Sequence, residues 1–223
     1  MKNVSIAVDG PSGAGKSTLA RRLAARLGYI YVDTGALYRA IAYDMLQHHA
    51  ESEQDITERL SKLDIAIEYQ DGVQHVLVNG EDVSGLIRTP EVSMGASRVS
   101  AIPAVRQFLF DLQQRLAREH SVVMDGRDIG TVVLPDADVK IFLTASPEKR
   151  AMRRFLELEE KKTGTQSYEE VLADVIRRDE QDMNRAIAPL KQAEDAVLVD
   201  TTNADLAESE QMLLDVCKEK LRI

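Results

Sequence analysis

The run Gly10-Pro11-Ser12-Gly13-Ala14-Gly15-Lys16-Ser17 constrains this chain more than any other feature. It fits G-x-x-x-x-G-K-[ST] without a mismatch and stands between two segments of opposite period. Before it lies a short apolar run at 4–8, and after it Leu19, Ala20, Leu23, Ala24 and Leu27 share one helical stripe that Gly28 can end. Strand, glycine-rich turn and helix in that order make a phosphate cradle. The glycines let successive backbone N–H groups face one phosphate chain, and the helix dipole adds positive potential there. Residues 10–17 with Thr18 are therefore candidate nucleotide-binding residues; Lys16 is expected to reach the β and γ phosphates and the Ser17 hydroxyl to ligate Mg²⁺ directly.

The rest of the chain repeats the strand–helix alternation, the signature of a parallel sheet covered by helices. Strands are expected at 4–8, 29–32, 122–125, 139–143 and 197–200, and further helices at 37–47, 103–119, 147–162, 168–186 and 205–220. Between 65 and 83 the pattern changes. Strand-like runs are interrupted by Asp71-Gly72 and Asn79-Gly80, the dipeptides best suited to tight hairpins, so a small antiparallel insert is expected. The charge-rich stretch 157–166 reads either as a mobile flap or as a solvated helix end.

Composition narrows the function. The 223 residues carry 28 Lys and Arg against 37 Asp and Glu, a net charge of −9, which argues against coating nucleic acid or an anionic membrane. Arginines nevertheless number 18 against 10 lysines, favouring the planar fork that clasps phosphate. Cys217 is the only cysteine, so neither an internal disulfide nor a thiolate zinc site is available, and a reducing cytoplasm is expected. The apolar start at 4–8 is too short for a signal peptide, nowhere do about 18 apolar residues run together, and His48, His49, His75 and His120 lack metal-ligand spacing.

Three further sets carry candidate chemistry. Asp33-Thr34-Gly35-Ala36-Leu37-Tyr38-Arg39 follows the second strand, where Thr34 can cap the next helix and Arg39 would lie near the cleft at the strand ends. Met124-Asp125-Gly126-Arg127-Asp128 ends the third strand, with Asp125 placed for a water-bridged metal contact and Arg127 and Asp128 projecting beyond it. Arg178, Asp182 and Arg185 follow i, i+4, i+7 on one helical face, and Arg150, Arg153 and Arg154 crowd another, like charges that phosphate oxygens would neutralise. Taken alone, each set also has a reading as ion pairs or surface charge, and for Arg178, Asp182 and Arg185 that is the simpler one.

GPSGAGKST, DTGALYR, GEDVSGLIRT, MDGRDIGTVV, PDADVKIFLTAS and RRDEQDMNRAIAPL, in that order, resemble the bacterial cytidylate kinases, a group of nucleoside monophosphate kinases. The resemblance covers essentially the whole chain; the loop at 10–17 is shared by many NTPases, whereas the insert, GRDIGTVV and RDxxDxNRAxAPL are specific to this group. Ser17 in Gly-Lys-Ser, where some members have Gly-Lys-Gly, and Thr34, where several have Ser, keep or add a hydroxyl.

The resemblance implies an α/β P-loop NTPase fold: a five-stranded parallel sheet in a core at about 1–61, 90–148 and 186–223, a nucleotide-monophosphate-binding insert at about 62–89, and an arginine-bearing lid at about 149–185. It implies ATP-dependent phosphorylation of CMP and dCMP with Mg²⁺, in a cytoplasmic protein without nucleic-acid or membrane partners, most simply a monomer. It further implies Lys16, Arg127, Arg178 and Arg154 as the catalytic set and Arg150, Arg153 and Arg154 as lid contacts to ATP. Arg39 and Arg127 would hold the acceptor phosphate beside Thr34; Ser97, Arg106 and Asp128 would read cytosine under Tyr38; and Arg178, Asp182 and Arg185 would line the sugar and phosphate. Asp33 and Asp125 would reach the metal through water. A UMP or shikimate kinase and a non-catalytic ATP-sensing module are the competing readings, while a guanine switch would need an Asn-Lys that the chain lacks.

Overall fold

The computed structural model describes residues 2–160 and 166–223. Five strands, β1 (Ser5–Asp9), β2 (Ile30–Asp33), β6 (Val122–Gly126), β7 (Val139–Thr144) and β8 (Val197–Asp200), form one parallel sheet in the order β2-β6-β1-β7-β8. Its strands are apolar almost throughout because both faces are covered. Ala7, Val32, Val122 and Met124 face one hydrophobic cluster, and Ile6, Val8, Tyr31 and Val123 face the other. The helices α1 (Lys16–Leu27) and α8 (Leu206–Leu221) close the second face, burying Leu23 and Leu213 completely; Cys217 is core there. The helices α2 (Thr34–Gln47) and α5 (Pro103–Glu119) close the first.

Both expected hairpins are present in a second sheet, β3 (Ile65–Gln70), β4 (Val73–Val78) and β5 (Glu81–Asp82), in antiparallel order. Asp71, Gly72, Asn79 and Gly80 all have φ between 51° and 85°, the paired left-handed conformation of type I′ turns. Ile65, Val76 and Val78 of this sheet join the main cluster, so the insert shares the core of the chain.

Two helices were not expected from the pattern. The first, α3 (Glu53–Leu60), is short and held by a Ser52–Asp55 capping box. The second, α4 (Pro90–Val99), carries Ser93, Gly95 and Ser97, a composition that weakens any helical signal. Gly95 is what the packing needs, since a Cβ there would lie 3.2 Å from Cβ of Ala42 on α2. After β6 the chain makes a single π-helical turn, Ile129–Val133, also unforeseen.

The helices α6 (Pro147–Glu160) and α7 (Tyr168–Asn184) pair through a small cluster of Ala151, Val171 and Val175, with Phe155 edge-on to Tyr168. Of the flap expected at 157–166, residues 157–160 are the last turn of α6 and 161–165 lie outside the described residues. The helix expected to run to 186 stops at Asn184, and Arg185 is already extended at φ −64°, ψ 141°. Arg178, Asp182 and Arg185 are therefore not one helical stripe: two stand on α7 and the third on the chain leaving it.

Candidate active site

Register brings the carboxyl ends of three adjacent strands level, with Asp33 beside Asp125, Asp125 beside Val8, and Asp9 beside Gly126. The crevice above a parallel sheet lies at such ends. Gly10 follows Asp9 with φ 146°, and a Cβ on it would overlap the Leu143 carbonyl oxygen, so only glycine lets the loop leave β1. Gly15 then turns into α1 with φ 88°. No side chain caps α1, whereas Asp33, Ser52, Thr89, Ser167 and Asp205 cap α2, α3, α4, α7 and α8. Its first N–H groups are thereby left to an anion.

Lys16 is buried and its Nζ donates to the Pro11 carbonyl at 2.7 Å, folding the side chain across the cradle. Burial and the neighbouring Arg127 push its ammonium well below the usual lysine range. An entering phosphate would reverse both effects. Ser17 Oγ donates to Asp125 at 2.8 Å, and Tyr31 Oη donates to the other oxygen of the same carboxylate at 3.0 Å. Burial and the nearby Asp33 raise Asp125. A hydroxyl against a carboxylate whose charge is poorly compensated fits a hard divalent cation. Asp33 fits it less well, because its oxygens already accept from the Ala36 N–H at 2.9 Å and Arg39 at 3.0 Å. Asp33, not Thr34, caps α2; Thr34 Oγ1 instead donates to the Asp125 carbonyl at 2.7 Å, tying the second loop to β6.

The arginines converge. Arg127 Nε donates to Asp182 at 2.7 Å, so the loop after β6 meets α7. Burial and the charges of Arg127, Arg39 and Arg154 push Arg178 down from the usual arginine value, while Asp182 opposes them. The positive charge gathered about Arg178, with Asp182 as its counter-charge, makes this a hole for anionic oxygens. Beside it lies a second polar set. Asp128 is 5% exposed; its Oδ2 accepts a short bond from Arg106, and its Oδ1 is 3.5 Å from Arg185. Arg106 lies over the Tyr38 ring, 5.9 Å from its centre. Burial pushes the Asp128 carboxyl up while both arginines pull it back. A Cβ on Gly126 would lie 2.7 Å from Ile129 and 2.9 Å from Thr34 Oγ1, so the two polar sets meet over a position only glycine fills. Ser97 stands exposed on α4.

Arg150, Arg153 and Arg154 are not a group of repelling charges. Arg150 is 2% exposed; it forks onto Asp179 at 3.0 and 2.5 Å and donates to the Ser12 carbonyl at 2.9 Å, pinning α6 and α7 to the phosphate loop. It is thus fixed beneath the loop in this state rather than poised outside it. Arg153 donates to the Thr201 carbonyl at 2.9 Å, and only Arg154 projects, paired with Glu157 at 3.1 Å between two exposed groups. Replacing Arg150 by alanine leaves Asp179 buried without its partner and is expected to cost about 3 kcal/mol or more. Urea unfolding measures it, and an unchanged midpoint and slope would show the pair to be dispensable.

Several residues at the site were not singled out in the sequence. Gln74 of the insert accepts from the Asp33 N–H at 2.7 Å and donates to the Asp33 carbonyl at 3.4 Å, acting as one more strand on the open edge of β2, and Tyr69 Oη donates to the Tyr31 carbonyl at 2.9 Å. No local pattern marks either. Asp9 did have a signal: it ends an apolar strand as Asp33 and Asp125 do.

A glycine-rich loop at the switch point of a parallel sheet, facing arginines from three other segments, defines a P-loop phosphotransferase. Among solved structures, an uncharacterised protein from Eubacterium ventriosum is similar in fold, with a TM-score of 0.55 and 14% identity over 98% of this chain and 99% of its own. The family model described as cytidylate kinase matches residues 6–219. The cytidylate kinase of Caldicellulosiruptor saccharolyticus is 51% identical over 97% of this chain and 96% of its own length, and that of Carboxydothermus hydrogenoformans 51% identical over 96% and 97%. The chain belongs to the cytidylate kinase family. It is accordingly an enzyme, a kinase with ATP as phosphoryl donor and small-molecule nucleotides as partners. Among the described residues no helix is long and apolar enough to cross a membrane.

Proposed function

We propose that this chain transfers the γ-phosphoryl group of ATP directly to CMP and dCMP, forming CDP or dCDP and ADP, within pyrimidine nucleotide metabolism. The observation that carries this reading is the adjacency of the two polar sets. An arginine-lined hole for phosphate at Arg39, Arg127 and Arg178 abuts a buried acceptor at Asp128, held by Arg106 and Arg185.

An oxygen of the CMP phosphate attacks the γ-phosphorus roughly in line as the bond to the β-phosphate oxygen breaks. No general base is needed, because the acceptor phosphate is largely ionised at neutral pH. Lys16, Arg127 and Arg178 stabilise charge spreading over the transferring group, and Arg39 with Arg127 holds the acceptor phosphate beside Thr34. Arg154 joins from α6. Its exposed pairing with Glu157 is weakly held, whereas Arg150 and Arg153 have buried or backbone partners. The site would hold Mg²⁺ through Ser17, with Asp125 and Asp33 acting through water. When bound, Mg²⁺ supplies charge neutralisation on the phosphate oxygens.

Cytosine is recognised by its amino group. A carboxylate at Asp128 accepts from that amino donor and repels the carbonyl that uracil carries there, while Ser97 and Arg106 bound the same edge under Tyr38. Arg178, Asp182 and Arg185 line the sugar and phosphate side. The test is transfer from ATP labelled at the γ position: label should appear in CDP with no labelled protein in the absence of CMP. Labelled protein able to pass its phosphate to CMP would overturn direct transfer.

A further inference from the structure

Asp9 takes no part in the reaction as described, and nothing about a P-loop requires a carboxylate at that position. It is 5% exposed at the end of β1, and both its oxygens are taken up by the backbone that follows β6. Oδ1 accepts from the Ile129 N–H at 2.8 Å and Oδ2 from the Gly130 N–H at 2.7 Å. These are the first two residues of the π-helical turn, the pair that directly follows Arg127-Asp128. The turn hangs from Asp128 itself, whose carbonyl accepts from Val132 and Val133 at 2.9 and 3.2 Å. Two backbone N–H groups caught by one carboxylate leave the peptide after Asp128 no freedom to rotate, and its side chain leaves this pinned backbone toward Arg106 and Arg185.

Gly130 completes the clamp. A Cβ there would lie 3.3 Å from Asp9 Oδ2 and 3.2 Å from Cδ of Lys140, so the approach is close enough to exclude even a methyl group without movement. Burial pushes the Asp9 carboxyl up, to about 6, against the two N–H donors that lower it. Keeping it ionised at neutral pH therefore works against folding, a cost that a purely structural position would avoid with a neutral side chain.

We propose that Asp9 is a positioning residue for base discrimination: it locks the turn that aims the Asp128 carboxylate, and so couples the strand leading into the phosphate loop to the choice of acceptor base. This rests on Asp128 reading cytosine, and the experiment separates the two. Initial rates with CMP and UMP are compared for the parent, Asp9→Asn, Gly130→Ala and Asp128→Asn, with folding checked by melting profiles.

Asp9→Asn keeps shape but offers one acceptor where two are needed. It is expected to raise KM for CMP about tenfold or more, through a misaimed carboxylate, and to lower the CMP-to-UMP ratio of kcat/KM, while KM for ATP moves far less. Gly130→Ala, whose Cβ would press on the same carboxylate oxygen, should give the same split in smaller measure. A lower kcat with both KM values and the ratio unchanged would mean that Asp9 is only scaffold, and would overturn the proposal. If Asp128→Asn shifts the ratio and Asp9→Asn does not, the inference fails and the base-reading role of Asp128 stands. If neither shifts it, both fail. Should Asp9→Asn not fold, Gly130→Ala decides by the same split.

Discussion

Replacing Lys16 by methionine is expected to lower kcat on the order of a thousandfold, about 4 kcal/mol of transition-state stabilisation, with a smaller effect on CMP binding. The reason lies in where the ammonium sits. It is buried beneath the loop, hydrogen-bonded to the Pro11 carbonyl, and Arg127 opposes its charge. In such a place a cation stabilises a developing anion far more than it would in water. Methionine fills the same volume, so loss of folding does not confuse the result. A variant retaining more than about a tenth of parental kcat would place the charge stabilisation elsewhere, in the arginines alone.

The second large effect is one of specificity. Asp128→Asn is expected to narrow the preference for CMP over UMP on the order of a hundredfold, because an amide can rotate to donate to the uracil carbonyl as readily as it accepts from the cytosine amino group. Alanine is the harsher change. It leaves Arg106 and Arg185 facing each other without their carboxylate and should destabilise the fold by about 3 kcal/mol. Asp128→Ala should nevertheless lose CMP far more than ATP. Ratios of kcat/KM for the two pyrimidines measure the asparagine variant, and direct titration of CMP and ATP measures the alanine one. Unchanged CMP affinity in a folded protein would remove Asp128 from base recognition.

What the sequence made legible was whatever is decided over a few residues. Glycine, lysine and serine in the loop at 10–17, Asp71-Gly72 and Asn79-Gly80 in the hairpins, and the apolar runs of the five parallel strands all act through local backbone chemistry or a short period. What depends on distant partners was misread or missed. Arg150 looked like one of three free charges because its partner Asp179 lies 29 residues away on another helix. The α4 helix was not expected because Gly95 is chosen by its contact with Ala42, not by helix propensity. The π-turn is held by Asp9, on the neighbouring strand β1 and 120 residues earlier in the chain. Gln74 reaches Asp33 from a hairpin whose alternation shows only that its side chains point to two faces.

The candidate site divides in the same way. Arg39, Arg127, Arg178 and Asp182 could be named from their segments, but their convergence on one crevice is a consequence of sheet register and of α7 reaching back over the loop after β6. The helical stripe expected to present Arg185 ends before it, yet the extended chain still delivers that side chain to Asp128. Composition supplied arginines in excess of lysines; only the fold says which of them share a carboxylate.

The most direct test of the central claim is the initial rate of ADP formation from ATP and Mg²⁺, with CMP, dCMP, UMP, AMP and shikimate compared as acceptors against no acceptor. The arrangement of the phosphate hole beside Asp128 predicts strong stimulation by CMP and dCMP and little by the others. Preferred use of UMP, AMP or shikimate would contradict the base-reading site, and ATP binding without stimulation by any acceptor would contradict phosphoryl transfer altogether.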